Sequence, residues 1–498
     1  TATYKRAPAP RVSYSEGTMP GQPGLQQPGV LSHHPATMPA TSTEVADLNN
    51  SFRKISFKFL VVLVFIRFSM LHQLLTYKLG INLYLLYIFG LPPVLGFLFT
   101  GGFRRAFRFR VTTYWVLFAA CLLCSCMFST WRGGSAAVVI TYLRTDFLML
   151  FLIGGIAVGW KECRTLMMSI ALGCLATEVW VKFFREIDMQ GRTSLAFGTV
   201  ANSNDYAAHL ILIIPLLLWA AMSAKVFLFR VVALLGVAYS YYLIVASASR
   251  GAFIALIVML VCLLVMATSR QRMIGLFVGA AMLMAAIAMV PAQTFQRILS
   301  FSEESADSSR EAMESSRIRK ELLQDSIWLS VTHPLLGVGP GQFGVVEGRS
   351  AKFVGRVGLY YEAHNSFMTV ASECGTPALI FYLSGIVSSF LLLNRVFRTV
   401  ASDLSSTEIR NGIVCMKAAL LAYCTAIMFV NFAYFYYLPA FAGLIAALAA
   451  SFPESIPGFG GVRASQVAEK PSGLAGPARR SVAKPRALGP SQWPKVRI

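Results

Sequence analysis

The sequence predicts an all-α polytopic membrane protein. Of its 498 residues, 56% are hydrophobic and only 13% are charged, whereas about 25% of the residues in a soluble domain are charged. The mean hydropathy is +0.60. Apolar runs of roughly 20 residues, the length needed to cross a bilayer, recur along the chain. These observations exclude a soluble enzyme built around one large core.

The charge balance points to a membrane rather than to nucleic acid. The formal net charge is +21, with 44 Lys and Arg against 23 Asp and Glu. Membrane proteins concentrate Lys and Arg in their cytoplasmic loops. A basic surface also suits anionic lipid or a phosphorylated substrate. We therefore expect the lipid bilayer as a partner, and no nucleic acid.

Apolar periodicity predicts about twelve transmembrane helices. They are centred on residues 57–75, 81–100, 111–130, 138–160, 163–182, 205–223, 226–246, 251–268, 273–291, 366–393, 411–430 and 432–451.

The basic residues of the loops predict the orientation of these helices. Alternate loops are basic, from Arg53-Lys54 and residues 104–110 to Arg395, Arg398 and Arg410. All basic loops fall on one side if both termini are cytoplasmic, which requires an even number of spans. The other, non-cytoplasmic side then carries residues 183–204, 247–251 and 292–365.

Composition divides the chain into five segments. The two ends are rich in Pro, Gly and small polar residues and are predicted to be disordered and cytoplasmic. A long polar segment interrupts the apolar part and is predicted to be one large loop with short helices. The segments are the tail 1–54, helices 1–9 in 55–291, the large loop 292–365, helices 10–12 in 366–452, and the basic tail 453–498.

The large loop contains a predicted amphipathic helix. An acidic, Ser-rich stretch at 303–316 is followed by apolar residues at helical spacing from Ser315 to Val331. His333-Pro334 ends the helix because proline cannot continue it. The Gly-rich segment 337–341 is predicted to be a turn. No Lys-Ser/Thr pair follows, so it is not a phosphate-binding P-loop.

The nine cysteines do not predict a metal site or a disulfide framework. Most lie inside apolar runs, and Cys121, Cys124 and Cys126 have no partner His or Cys group nearby. They are interpreted as small apolar helix residues. We predict no metal site and no cofactor.

Charged residues at membrane depth are a separate group, for which the sequence favours structural or interfacial roles. They are Arg67, Arg144, Asp146, Glu178, Lys182 and His209.

Residues on the non-cytoplasmic side are the candidates for chemistry. His364 stands at the foot of an apolar run, and an imidazole can accept a proton at neutral pH. Arg250 lies between small residues, and its planar guanidinium suits phosphate oxygens. Arg317 and Arg319 begin the loop helix, and Arg192 is a further arginine on this side.

Two carboxylates, Glu362 and Glu373, are candidates for orienting the imidazole of His364. Arginines and a base suit transfer from a phosphate-activated donor, because the arginines bind the leaving pyrophosphate while the base activates a hydroxyl.

Four short stretches occur in a fixed order with the predicted spans between them. They are Gly198-Thr199-Val200-Ala201-Asn202-Ser203-Asn204-Asp205-Tyr206-Ala207, Ala248-Ser249-Arg250-Gly251-Ala252, the arginine helix that runs to His333-Pro334-Leu335-Leu336-Gly337-Val338-Gly339-Pro340-Gly341, and Ala363-His364-Asn365-Ser366-Phe367 with Glu373-Cys374-Gly375-Thr376-Pro377. In this order they resemble the O-antigen ligase and O-antigen polymerase family. The likeness covers about residues 55–450 and leaves out both tails.

The resemblance implies a GT-C-like, metal-independent membrane glycosyltransferase in the bacterial inner membrane, with a periplasmic active site. Its donor would be a glycan on undecaprenyl pyrophosphate. A ligase moves that glycan to a lipid A core, and a polymerase moves it to another lipid-linked repeat. The sequence does not separate the two activities. A transporter is the other class considered, but the two halves of the chain show no internal repeat.

The resemblance also implies site residues. His364, Arg250 and Arg319 would be catalytic, although Arg317 is within one helical turn of Arg319 and remains an alternative. The predicted substrate-binding residues are Arg317, Arg192, Asn204 and Asn365.

Overall fold

A computed structural model describes residues 49–187, 192–289, 307–349, 361–401 and 407–452. Both predicted disordered tails lie almost entirely outside these residues. The helices are α1 (Ser51–Phe68), α2 (Leu71–Leu79), α3 (Leu85–Phe99), α4 (Gly102–Ala106), α5 (Arg110–Met127), α6 (Arg132–Ile156), α7 (Trp160–Phe184), α8 (Ser203–Ser223), α9 (Phe227–Ala246), α10 (Arg250–Met266), α11 (Ser269–Met289), α12 (Asp307–Thr332), α13 (Phe343–Gly348), α14 (Ser366–Ala401), α15 (Thr407–Ala426) and α16 (Tyr437–Ala450).

The all-α polytopic class is confirmed, but the number of twelve spans is not. A helix lies in each of the twelve predicted segments. Within the described ranges, six helices are long and apolar enough to cross a membrane, namely α5, α6, α7, α8, α9 and α14. The pair α1 and α2 gives a seventh if it is one span bent by 62°. Three further apolar helices, α3, α10 and α16, are shorter.

Hydropathy overestimates helix length at the C-terminal end. The segments 411–430 and 432–451 were predicted as two spans with almost nothing between them. Helix α15 ends at Ala426 and α16 begins at Tyr437. The apolar residues between them form a turn that packs against other helices, so their hydropathy reflects burial in protein and not a longer span.

Two helices are buried on all sides and form the centre of the bundle. Nearly every residue of α8, and of α16 from Tyr437 to Ala449, is buried. Helix α8 packs on α15, α9 and α7, whereas α16 packs on α6 and α14. A helix that is apolar all round is expected in such a central position.

Small residues allow the close crossing of α6 and α16. A Cβ atom on Gly443 would lie 2.6 Å from the carbonyl oxygen of Leu150, and one on Gly154 would lie 3.4 Å from the carbonyl oxygen of Gly443. Backbone contact of this kind is typical of helix pairs in membranes.

A short β-hairpin follows α7. Strands β1 (Arg185–Ile187) and β2 (Thr193–Leu195) pair antiparallel, with Arg185 opposite Leu195. The sequence did not predict it. The hairpin leads into α8 and carries Arg192 directly before β2.

Several of the charged residues at membrane depth have partners inside the bundle. Arg67 forms an ion pair with Asp146, and its guanidinium lies 4.4 Å from the ring centroid of Tyr436. The His209 ring is 2.8 Å from the hydroxyl of Tyr437. Such contacts offset the cost of holding polar groups away from water.

Arg53 at the start of α1 is fully buried, although it belongs to a predicted basic loop. Its two terminal nitrogens bind Glu162 at 2.7 and 2.9 Å, and one of them also donates to the carbonyl oxygen of Ile156 at 2.9 Å. Glu162 in turn accepts from the backbone N–H of Val158 at 2.7 Å. The pair therefore ties α1 to the junction of α6 and α7.

We expect Glu162→Ala to lower the free energy of unfolding by about 3 kcal/mol, because it leaves the buried guanidinium of Arg53 without its carboxylate. Thermal unfolding in detergent measures the effect. The matched control is Arg317→Ala, which removes the ion pair between a side chain that is 81% exposed and Glu321. An exposed pair contributes roughly 0–1 kcal/mol. Equal losses in the two variants would contradict the structural role of the buried pair.

Candidate functional site

Four predicted site residues meet at one end of the bundle, although they come from four separate elements. Arg192 precedes β2, Arg250 is the first residue of α10, Arg319 lies in α12, and His364 lies just before α14. Arg319 interacts electrostatically with Arg192, Arg250 and His364. We call these four residues the arginine–histidine cluster.

The charge of Arg319 is held in an unfavourable environment. Burial lowers the pKa of its guanidinium, and the neighbouring charges of Arg192 and Arg250 lower it further. Asp205 acts in the opposite direction. A guanidinium keeps its proton in proteins, so the like charges repel each other instead of neutralising. Three neighbouring guanidinium groups suit an anion with more than one negative charge.

His364 is neutral at physiological pH. Burial, and then the charge of Arg319, lower the pKa of its imidazole to about 4. A neutral imidazole has a free lone pair and can accept a proton. Among the described residues, its ring makes no hydrogen bond, so that lone pair is open to a substrate.

Strained backbone conformations flank the site. His364 has a φ of 47° and Ala248, two residues before Arg250, has a φ of 48°. Left-handed conformations of non-glycine residues cost on the order of 1–3 kcal/mol and occur often at functional sites.

The start of α10 positions Arg250. The hydroxyl of Ser249 caps the helix by accepting from the backbone N–H of Ala252 at 3.4 Å. A Cβ atom on Gly251 would lie 2.5 Å from Cγ of Phe429, so only glycine allows this ring to pack against the helix start.

The start of α14 positions His364. The Asn365 side chain caps the helix by accepting from the N–H groups of Phe367 and Met368 at 3.0 and 3.1 Å. The Ser366 hydroxyl donates to the carbonyl oxygen of Val430 at 2.9 Å and accepts from the N–H of Phe432 at 2.7 Å.

Residues 427–432, which we call the 427–432 turn, therefore hold both helix starts. Phe429 packs on α10, while Val430 and Phe432 bind Ser366 of α14. The turn sets the spacing between Arg250 and His364.

Two carboxylates face the cluster. Asp205, in the first turn of α8, interacts electrostatically with Arg319 and with Glu362. The Glu362 carboxylate accepts from the side-chain amide of Asn431 at 3.1 Å. Asp205 was in one of the quoted sequence stretches but was not predicted as a site residue. An acid in a first helical turn is readily explained by the helix dipole alone, so the sequence offered no separate signal.

Three predicted substrate-binding side chains have other contacts. Arg317 is 81% exposed and pairs with Glu321 at 3.0 Å, one turn along α12. The Asn204 amide donates to the side-chain oxygen of Asn202 at 3.3 Å, within the cap of α8. The side-chain oxygen of Asn365 caps α14. Geometry therefore separates Arg319, which lies in the cluster, from Arg317, which does not.

Glu373 does not orient His364, which corrects one interpretation of the sequence. Its carboxylate accepts from the N–H groups of Gly341 and Phe343 at 2.7 and 3.0 Å, and from the hydroxyl of Tyr434 at 2.8 Å. Glu373 instead fixes the Gly-rich turn that follows α12.

The Gly-rich turn packs backbone to backbone on a kink in α14. The Gly339 N–H donates to the carbonyl oxygen of Glu373 at 2.8 Å, and the Thr376 N–H donates to that of Pro334 at 2.7 Å. Gly337 and Gly375 have φ values of 64° and 84°. A Cβ atom on either would lie within 2.4 Å of the opposite backbone. We call this contact the glycine clamp.

The glycine clamp connects the two elements that carry the cluster. Helix α12 holds Arg319 and ends at the clamp, while α14 begins two residues after His364 and contains the kink. The clamp therefore fixes the position of Arg319 relative to His364.

We expect Glu373→Ala to destabilise the protein by about 2–3 kcal/mol, because two backbone N–H groups and a buried hydroxyl lose their acceptor. Tyr434→Phe removes only one of these hydrogen bonds and should cost about 1 kcal/mol. Thermal unfolding of both variants in detergent checks the difference. Identical melting temperatures for the two variants would show that Glu373 does not anchor the turn.

In the part of the chain that the structure describes, no group of three or more His, Cys, Asp or Glu side chains is arranged to hold a metal ion. All nine cysteines are free thiols.

Residues 232–383 match the family model described as O-antigen ligase. This interval contains Arg250, Arg319 and His364, as well as both sides of the glycine clamp. A search of curated proteins finds no match to the chain. Members of the matched family are membrane glycosyltransferase-like enzymes of O-antigen. The match over residues 232–383 supports the resemblance of the chain to the O-antigen ligase and polymerase family.

Proposed function

We propose that the protein is an O-antigen ligase-like glycosyltransferase. It moves a glycan from undecaprenyl pyrophosphate to a lipid A core or similar acceptor, at the periplasmic face of the bacterial inner membrane. One observation carries the proposal: Arg319 lies with Arg192 and Arg250 beside the neutral imidazole of His364, at one end of an apolar helical bundle.

The three arginines suit the pyrophosphate of the donor. A pyrophosphate linker carries more than one negative charge, and guanidinium groups bind phosphate oxygens through paired N–H donors. Binding would relieve the repulsion that now lowers the pKa of Arg319. The apolar bundle below the cluster leaves the lipid tail of the donor in the bilayer.

The reaction needs one proton acceptor and one stabilised leaving group. The acceptor hydroxyl attacks the anomeric carbon of the glycan, and its proton passes to the imidazole of His364. A new glycosidic bond forms as the bond between the anomeric carbon and the pyrophosphate oxygen breaks. The electron pair of that bond stays on the pyrophosphate, where the arginines stabilise the charge.

Donor binding also makes His364 a stronger base. Arg319 lowers the pKa of His364 through its positive charge. A bound pyrophosphate offsets that charge, so the pKa rises towards its ordinary value near 6.5. The imidazole would then take the proton more readily when the donor is in place.

The carboxylates Asp205 and Glu362 have a complementary part in this proposal. Carboxyl groups exchange hydrogen bonds with sugar hydroxyls, which both donate and accept. Asp205 interacts electrostatically with Glu362 and with Arg319 of the arginine–histidine cluster. We propose that they orient sugar hydroxyls of the donor or acceptor.

The orientation rests on the basic loops. The cluster lies on the side opposite to the loops rich in Lys and Arg, which the positive-inside rule assigns to the cytoplasm. Both termini would then be cytoplasmic and the site periplasmic.

Purified protein, lipid-linked glycan and lipid A core test the proposal directly. Glycan transferred to the lipid A core supports the ligase. Longer lipid-linked chains, formed without the core, support the polymerase of the same family. Glycan uptake into sealed vesicles, without any transfer product, would contradict both activities and indicate a transporter instead.

A further inference from the structure

A cavity lies between α2 and the segment that follows β2. It has a volume of about 410 Å³ and is lined by residues of α2, of the loop before α3 and of the segment after β2. Gln73 of α2 contacts Thr199, and Tyr77 stacks on Phe197. Small-molecule sites in proteins have about this size, in the range of 300–1,000 Å³.

One wall of the cavity is a rigid aromatic surface. The ring of Phe197 is buried, and the ring of Tyr77 stacks on it with centroids 5.5 Å apart and planes 24° apart. Tyr77 is nevertheless 52% exposed. The Nζ atom of Lys78 lies 5.8 Å from the centroid of the Tyr77 ring. An aromatic ring that is held by stacking and half exposed can bind a ligand at low entropic cost.

The polar side chains in the lining have unused hydrogen-bonding capacity. The side-chain oxygen of Asn82 accepts from the N–H of Tyr84 at 2.8 Å, which leaves its NH₂ group as a donor. The Thr76 hydroxyl donates to the carbonyl oxygen of His72 at 2.9 Å, which leaves its oxygen as an acceptor. Gln73 is held in place by the N–H of Thr199 at 3.2 Å.

The lining carries no Lys, Arg, Asp or Glu. This composition differs from that of the arginine–histidine cluster and does not suit phosphate. An exposed ring face, an amide donor and a hydroxyl acceptor suit a neutral sugar unit. The C–H face of a pyranose packs on an aromatic ring, while its hydroxyls both donate and accept hydrogen bonds.

The cavity is close to the cluster along the chain. Phe197 comes five residues after Arg192, and Gly198 comes seven residues before Asp205. An extended chain spans at most about 3.3–3.6 Å per residue. The cavity therefore lies within roughly 25 Å of Asp205, a distance that a short oligosaccharide can bridge.

We propose that this cavity is a glycan subsite, which binds a neutral sugar unit some way from the bond that reacts. The assignment of that sugar to a substrate rests on the proposed transfer function. The sugar can belong to the donor glycan or to the acceptor, since both present the same chemistry.

A fluorescence titration tests binding without measuring transfer. We would introduce Tyr77→Trp as a reporter and titrate the full-length protein, in detergent, with the lipid-free O-antigen oligosaccharide of its source bacterium. We expect a saturable change in emission. Asn82→Ala in the same background should weaken the apparent affinity at least about tenfold, equivalent to about 1.4 kcal/mol. The matched control is Tyr84→Trp, at a 61% exposed tyrosine outside the cavity, which should give no saturable change.

Two results would overturn the glycan subsite, and a transfer assay shows whether the donor or the acceptor binds there. No saturable change at Tyr77→Trp, together with no saturation-transfer NMR signal from the oligosaccharide on the wild-type protein, would overturn the subsite. An equal response to undecyl phosphate, which has no sugar, would make the cavity a lipid site and also overturn it. In transfer assays, Asn82→Ala should raise KM at unchanged kcat, for the donor or for the acceptor according to which one binds there.

The titration remains informative if the proposed function fails. A wild-type protein that transfers no glycan would refute the glycosyltransferase, while the oligosaccharide titration would still decide the subsite. Arg319→Ala separates the two proposals in the other direction, since it should lower kcat for transfer by about 10²–10³-fold and leave oligosaccharide binding within twofold.

Discussion

Replacing His364 with alanine should lower kcat/KM for glycan transfer by about 10²–10⁴-fold, the usual contribution of a positioned general base. The imidazole is neutral because burial and Arg319 lower its pKa to about 4. It also makes no hydrogen bond to any residue that the structure describes. Transfer from lipid-linked donor by purified protein measures the loss.

The pH dependence of the same assay gives an independent check. Protonation removes the base, so activity is lost as the pH falls. For free enzyme, kcat/KM should stay level from about pH 8 to pH 5 and decline below, with an apparent pKa of about 4. In kcat, which reports the donor-bound state, the decline should begin at higher pH because the pyrophosphate offsets the charge of Arg319.

His333→Ala is the matched control for His364. This histidine is exposed directly after α12, and within the described ranges its ring makes one hydrogen bond, to the neighbouring Thr332 hydroxyl. We expect less than a twofold change. Full activity of His364→Ala at normal protein level, or a decline of kcat/KM near pH 6.5, would remove His364 as the base.

Arg319→Ala should reduce kcat by about 10²–10³-fold, the typical cost of removing one donor that stabilises developing negative charge. Arg319 is the member of the cluster that interacts with each of the other three. Arg317→Ala should lose little, because that side chain is 81% exposed and pairs with Glu321. Lys320→Ala, at the exposed neighbouring position, controls for the loss of a positive charge.

A second consequence of Arg319→Ala concerns His364. Without the charge of Arg319, the pKa of the imidazole should rise from about 4 towards 6.5. The acid decline in kcat/KM of the residual activity should therefore move to higher pH. An acid decline of kcat/KM at unchanged pH would contradict the placement of Arg319 beside His364. An equal loss of activity in Arg317→Ala would contradict it as well.

Much of the site could be predicted from the sequence, because helix starts are marked by local residues. Arg250 follows a run of small residues and His364 precedes a new apolar run, so both were placed on the same side of the membrane. The choice between Arg317 and Arg319 could not be made. Two residues are about 200° apart around a helix, and periodicity alone did not show which face of α12 meets the bundle.

Other features depend on contacts between distant segments. The strands of the hairpin have three residues each, too few for a period-two pattern. Glu373 was close enough in sequence to suggest a role beside His364, yet it binds the turn after α12. Hydropathy located the apolar segments but not the number of crossings, since it does not distinguish lipid from a protein interior.

The glycine clamp allows the chain between α13 and α14 to vary in length. It joins the end of α12 to the kink of α14, so the placement of Arg319 and His364 does not depend on the length of the chain between α13 and α14. Insertions or deletions there would leave the reacting groups in register. A lineage could thus change the length of this connection, with the chemistry inherited intact.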